Sequence, residues 1–206
     1  MLIILIAAII TIVIMLIFTF RWIKRVKTAS LLAQDLTKGD FGNFDKRLSE
    51  NKNLFKDTKK QYLELVSAST RNDSVSFARI LQSLENQNLS RKEREDIYFQ
   101  AFQYYLRTND PNKCRLYMEK IDLLGDEETT FTVNAMYDTI ALHGHAYMDE
   151  LLHKVRTDTS MRKGLYEALL AQVYRNQNDP ADAEYYEELS RQHLTDVMGS
   201  FPNTFQ

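Results

Sequence analysis

The chain opens on an unbroken apolar run. Residues 1–20, MLIILIAAIITIVIMLIFTF, carry no charge, no Gly and no Pro, and their only polar side chains are Thr11 and Thr19. Twenty residues at a rise of ~1.5 Å span ~30 Å, the hydrocarbon thickness of a bilayer. A core helix rarely stays apolar on every face for that length. The pattern predicts a transmembrane helix over 1–20. A cleaved signal peptide would instead put basic residues before a shorter apolar core and a small-residue cleavage site after it. Here Arg21, Lys24, Arg25 and Lys27 follow the run. With Trp22 at the place of an interfacial aromatic, these residues form the expected membrane interface, a basic juxtamembrane segment over 21–28. The positive-inside rule then sets the N-terminus outside and the remaining chain in the cytoplasm of a single-pass membrane protein.

Beyond residue 28 the apolar positions recur at helical spacing, and turn signals interrupt them at a period near 34. The segments YFQAFQYYLRTNDPNKCRLYMEK from Tyr98 and EALLAQVYRNQNDPADAEYYEEL from Glu167 align on Asn109-Asp110-Pro111 and Asn178-Asp179-Pro180. The same alignment pairs Tyr105 with Tyr174, Cys114 with Ala183, and Tyr117 with Tyr186. Weaker signals fall at Gly39-Asp40, Asn72-Asp73 and Gly144. A fixed period of this length marks a helical solenoid. In each turn an Asp can cap the next helix, and Pro at the first helical position loses no needed N–H. Ser90-Arg91-Lys92-Glu93 reads as a capping box. The predicted fold is all-α: a transmembrane helix, then about five helical hairpins over 29–195, then a flexible tail over 196–206. No Gly or Pro occurs before Gly39, so one helix can run from the apolar segment into the first hairpin. The other reading is a short break near residues 27–30.

Within that period the last repeat resembles a tetratricopeptide repeat (TPR), on Leu170, Ala171, Tyr174, Asn178 and Ala183. The repeat from Asp96 follows it less closely, with Ala101, Phe102, Tyr105, Asn109 and Cys114. The other three agree by spacing, since Phe44 and Phe77 stand where the family has a small residue. A generic array of α-hairpins or a helical bundle is the alternative. The layout is similar to that of bacterial single-pass inner-membrane proteins carrying TPR domains. The resemblance implies a groove lined by the first helix of each hairpin, with Asp96, Phe99, Gln103, Leu106 and Arg107, then Leu165, Ala168, Gln172, Arg175 and Asn176, facing a protein or peptide partner. The Lys/Asn set with which some members clamp a peptide carboxylate is not matched, because Phe99, Gln100 and Gln103 stand there.

Composition narrows the chemistry. Gly and Pro together are 9 of 206 residues, against roughly 12% in average usage, which excludes turn-rich β-folds. One cysteine excludes a disulfide framework. Residues 21–60 carry 11 Lys/Arg against 5 Asp/Glu, and residues 61–206 carry 15 against 23. The basic stretch lies beside the membrane, where anionic head groups attract it, and nothing points to nucleic acid. No GxSxG, Walker loop or GxGxxG is present. His143, His145 and His153 with Asp149 and Glu150 are the one metal-like group, and polar residues at a helix boundary account for them. The sequence therefore predicts no catalytic residue, metal, cofactor or small-molecule substrate. It predicts a membrane-anchored scaffold or adaptor whose partner belongs to a membrane-associated complex. The alternative is a structural subunit held in a larger complex by its transmembrane helix.

Overall fold

A computed structural model describes the backbone of residues 2–159 and 162–199, and the side chains of residue 15 and of residues 18–159 and 162–193. The described residues are helical, with no strand. The helices are α1 (Leu2–Thr37), α2 (Phe41–Glu50), α3 (Asp57–Thr70), α4 (Ser74–Glu85), α5 (Arg91–Arg107), α6 (Pro111–Asp122), α7 (Glu127–Met136), α8 (Met148–Thr157), α9 (Lys163–Asn176) and α10 (Pro180–Gly199). A 3₁₀ turn covers Lys52–Leu54, and a π-helical turn covers Tyr137–Ala141.

Helix α1 runs 36 residues without interruption, so the chain does not break near residues 27–30. The transmembrane helix expected over 1–20 gains no support: among the described residues no helix is long and apolar enough to cross a membrane. Most side chains of the apolar run lie outside the described residues. Of the tail expected over 196–206, residues 196–199 continue α10, and the rest lies outside the described residues. Trypsin is expected to spare Arg25 and Lys27 while cutting exposed connections such as that at Lys56. Prompt cleavage after Arg25 or Lys27 would show that α1 is not continuous.

The chain divides into two compact units, residues 1–84 and 85–200. In the first, α2 folds back on α1, and Leu32, Phe44 and Leu48 are buried together with Leu36, Phe55 and Leu63 around them. Asp35 on α1, nearly buried, accepts from Arg47 Nε at 2.8 Å. Arg71, at the end of α3, pairs with Asp45 at 2.5 Å and stacks on Phe41. In the second unit α5 packs on α6, α6 on α7, α8 on α9 and α9 on α10. Phe102, Leu151, Tyr166 and Leu170 are wholly buried there.

One turn recurs. Gly39, Asn72, Asn109 and Asn178 have φ of 69°, 59°, 55° and 60°, the left-handed conformation that Gly and Asn adopt most readily. The following Asp N–H bonds back to the carbonyl five residues earlier: Asp40 to Asp35, Asp73 to Ala68, Asp110 to Tyr105 and Asp179 to Tyr174, at 2.8–2.9 Å. That bond closes the outgoing helix in a Schellman motif. The same Asp then accepts from the N–H three residues on (Asn43, Ser76, Lys113 or Asp182) and caps the incoming helix. Two adjacent residues thus end one helix and begin the next. Backbone and side-chain bonds hold the Asp40 carboxyl below its ordinary 3.8.

The aligned repeats also match in packing. Tyr105 stacks on Tyr117 at 5.6 Å, and Tyr174 on Tyr186 at 5.5 Å. Cys114 and Ala183 are 1% and 2% exposed at equivalent sites, where only a small side chain lets two helices approach. Burial, with Asp110 nearby, pushes the Cys114 thiol up to about 11, which keeps it protonated as a small packing group at neutral pH.

The hairpin around residue 143 departs from the pattern. The left-handed residue there is His143, at φ 52°, and not Gly144. Gly144 meets a different demand: a Cβ on it would lie 2.3 Å from Asp138 Oδ1. The Asp138 carboxylate is held there by the Ala146 N–H at 2.9 Å. The π-turn precedes this loop, and Asn176 from α9 donates to the carbonyls of Thr139 and Gly144 at 2.9 and 3.2 Å. Gly164, without a role in the repeat, is buried beneath α10, where its carbonyl accepts from Ser190 Oγ at 2.7 Å.

Candidate functional site

The second unit has a cavity of ≈ 180 Å³ lined by the first helices of three successive hairpins. From α5 come Lys92, Glu95, Asp96 and Phe99. From α7 come Thr129 and Thr132, and from the start of α9 come Arg162 and Leu165.

Local sequence sets each wall. The Ser90–Glu93 capping box is formed: Ser90 Oγ accepts from the Glu93 N–H at 3.3 Å, and Glu93 accepts from the Ser90 N–H at 2.9 Å. It fixes where α5 begins, and so the rotation that aims residues 92, 95, 96 and 99 at one face. Asp126 caps α7 by accepting from the Thr129 N–H at 2.7 Å, which lowers its carboxyl from 3.8. Thr129 Oγ1 is then positioned to donate to Glu95 Oε1 at 2.6 Å. Glu95 forms the floor, 7% exposed, and Lys92 Nζ reaches the same oxygen at 3.3 Å. Lys92 also lies 3.5 Å from Asp96 Oδ1. Phe99 and Leu165 supply the apolar flank.

Beneath this cavity the helices are joined by Glu128. Its carboxylate accepts from Lys154 on α8 and from the Tyr166 hydroxyl on α9, with Arg162 at 3.9 Å. Burial pushes the Glu128 carboxyl up, but the bonds from Lys154 and Tyr166 and the charges of Lys154 and Arg162 outweigh it and leave it below its ordinary 4.5.

The cavity carries two cations and two carboxylates, so it balances its own charge and draws no simple ion by field alone. Its volume lies below the ~300–1,000 Å³ of small-molecule and cofactor sites. It has room for about one side chain.

The sequence-derived groove residues divide among several roles. Asp96, Phe99 and Leu165 line the cavity. Gln103 and Leu106 are half-buried further along α5, and Arg107 is exposed with its guanidinium 5.7 Å from the Tyr104 ring. Gln172 donates to Asn176 at 3.0 Å, and Asn176 ties α9 to the loop of the preceding hairpin. Arg175 pairs with Glu187 on α10. Lys92, Glu95, Thr129, Thr132 and Arg162 were not among the expected residues. Glu95 had a signal, because positions 95, 99 and 102 share one helical stripe with two aromatics.

Comparison with protein-family models, with curated proteins and with solved structures finds no match to this chain. His143, His145 and His153 are each exposed. Among the described residues no group of three His, Cys, Asp or Glu side chains could hold a metal ion. His193 Nδ1 lies 2.6 Å from Oε2 of the wholly buried Glu167, which joins α10 to α9.

Proposed function

We propose that this protein is a membrane-anchored adaptor that binds an extended segment of a protein partner in the α5–α7–α9 groove, with a TPR-like repeat as its scaffold. The observation that carries the reading is the cavity to which three first helices contribute. A stack of helical hairpins presents its first helices along one binding face. The recurrent Asn-Asp turns, the stacked tyrosine pairs and the small residues at 114 and 183 support the TPR-like scaffold. Phe99 and Leu165 favour a partner side chain with an apolar stem, and the carboxylates and cations around them favour a polar tip. The membrane anchor rests on the sequence of residues 1–20. The continuity of α1 supports a stiff connection from anchor to first hairpin, with the repeats on the cytoplasmic side.

A photo-crosslinker placed at Phe99 in the full chain, in native membranes, tests this. We expect one partner protein to be captured from position 99 but not from Leu116, which is 45% exposed on α6. Glu95→Lys should abolish that capture. Identical products from 99 and 116 would sink the groove reading. Exchanging residues 1–20 for an unrelated membrane span separates the two roles. Retained capture supports the adaptor, and loss supports the alternative of a complex subunit held through its transmembrane helix.

A further inference from the structure

The first unit has two unlike ends. α1 enters it from residue 20, and α2 returns antiparallel after the turn at Gly39. The Asp35–Arg47 ion pair and the shared burial of Leu32 with Phe44 and Leu48 fix that direction. The end of α2 and the 3₁₀ turn Lys52–Leu54 therefore lie back along α1, toward Arg25, and the 3₁₀ turn packs on α1. Packing on α1 stops at the same level. Thr28 is buried, whereas each residue from Phe18 to Arg25 is exposed.

This brings together charges that are far apart in sequence. Arg21, Lys24, Arg25 and Lys27 of α1 share this end with Lys52 and Lys56 of the α2–α3 connection, all six exposed. The exposed acids at this end are Glu50 and Asp57. The opposite end, around the turns at Gly39 and Asn72, is balanced: Lys38, Lys46 and Arg71 stand against Asp40, Asp45 and Asp73. The asymmetry thus faces back toward the apolar run. From Phe20 to Thr28 is eight residues of continuous helix, ~12 Å; the head-group layer spans ~5–7 Å of that, and the remainder lies within the ~8 Å Debye length at physiological salt.

We infer that this end of the first unit is a second membrane contact: Lys52 and Lys56 bind anionic phospholipid head groups and press the unit against the bilayer. The inference rests on the anchor proposed above. Charge complementarity selects the occupant, since the cytoplasmic leaflet is anionic and each lysine near its surface adds roughly fivefold to binding. Phe20, 71% exposed, and Trp22, 41% exposed, continue the surface into the interfacial zone. Two contacts from separate segments would fix the tilt and rotation of α1, where a single helix alone leaves rotation free.

The test uses the full chain in nanodiscs of phosphatidylcholine, alone or with phosphatidylglycerol, with a head-group spin label as quencher. A fluorophore sits on Asn53→Cys, or on Lys38→Cys as the far-end control; the native Cys114 is 1% exposed and is left unlabelled. Phosphatidylglycerol should raise quenching at position 53 and leave position 38 unchanged. Each of Lys52→Ala and Lys56→Ala should lower the docking equilibrium constant roughly fivefold, and added salt should lower it too. Incorporation into both discs with equal quenching at position 53 would overturn this inference alone. Failure to incorporate into either disc would overturn the anchor and the inference with it.

Discussion

Phe102→Ala is expected to remove about 3–5 kcal/mol from the stability of the second unit. Phe102 is wholly buried on α5, and its aligned partner in the last repeat is Ala171, 2% exposed. The two hairpins share a turn and a tyrosine pair but fill this layer differently. Truncation therefore leaves a cavity the size of a ring at a wholly buried position. Nearby backbone is helical and held by the capping box and the Asp110 turn, so collapse into the space is limited, and the cost belongs at the upper end of the range. The reporter must lie in the second unit. The single tryptophan, Trp22, lies in the first, so its fluorescence is blind to the change. Amide exchange of α5 and α6 with increasing denaturant reads it directly. A loss below about 1 kcal/mol would mean that α5 is not closed over a tight core.

The turns at residues 39, 72, 109 and 178 were legible because their chemistry is local. A residue that tolerates positive φ followed by Asp satisfies the end of one helix and the start of the next within eight residues. The fourth hairpin was misplaced by one residue because its geometry is set from outside. Asp138 occupies the space a side chain at 144 would need, and Asn176, 32 residues on, holds the loop carbonyls. Asp138 is only six residues before Gly144, but nothing in the sequence says that it folds back onto that position, and Asn176 lies outside any local window. The cavity was half legible for the same reason. Asp96, Phe99 and Leu165 follow from the resemblance to the family pattern, but Thr129 and Thr132 lie on α7, whose repeat fits only by spacing, and Arg162 precedes α9 where the family pattern is silent. Gly164 and Ser190 face each other across 26 residues, and only the fold pairs them. The sequence left two readings of α1 open, and the continuous helix is the one observed, in a segment without Gly or Pro before Gly39.

Glu128→Ala is the other large effect expected, about 1–4 kcal/mol, and it should carry a signature in pH. Glu128 on α7 is the acceptor for α8 and α9 at once, through Lys154 and Tyr166. Tyr166 is wholly buried, so without the carboxylate its hydroxyl loses the acceptor it donates to. A buried donor left unmade costs about 1–3 kcal/mol. The ion pair with Lys154 is partly solvated and adds no more than about 1 kcal/mol. Glu128→Gln, which keeps an acceptor oxygen and drops the charge, should recover most of the loss, whereas Tyr166→Phe should cost less than Glu128→Ala because it removes donor and need together. The carboxyl is held below its ordinary 4.5 in the folded chain. Its contribution is therefore complete above about pH 4.5 and is lost as pH falls through the lower folded value. Denaturant melts from pH 7 downward should show the gap between the natural chain and Glu128→Gln narrowing below that point. A gap that stays constant through the acid range would mean that the carboxylate's charge does not hold α7 to α8 and α9.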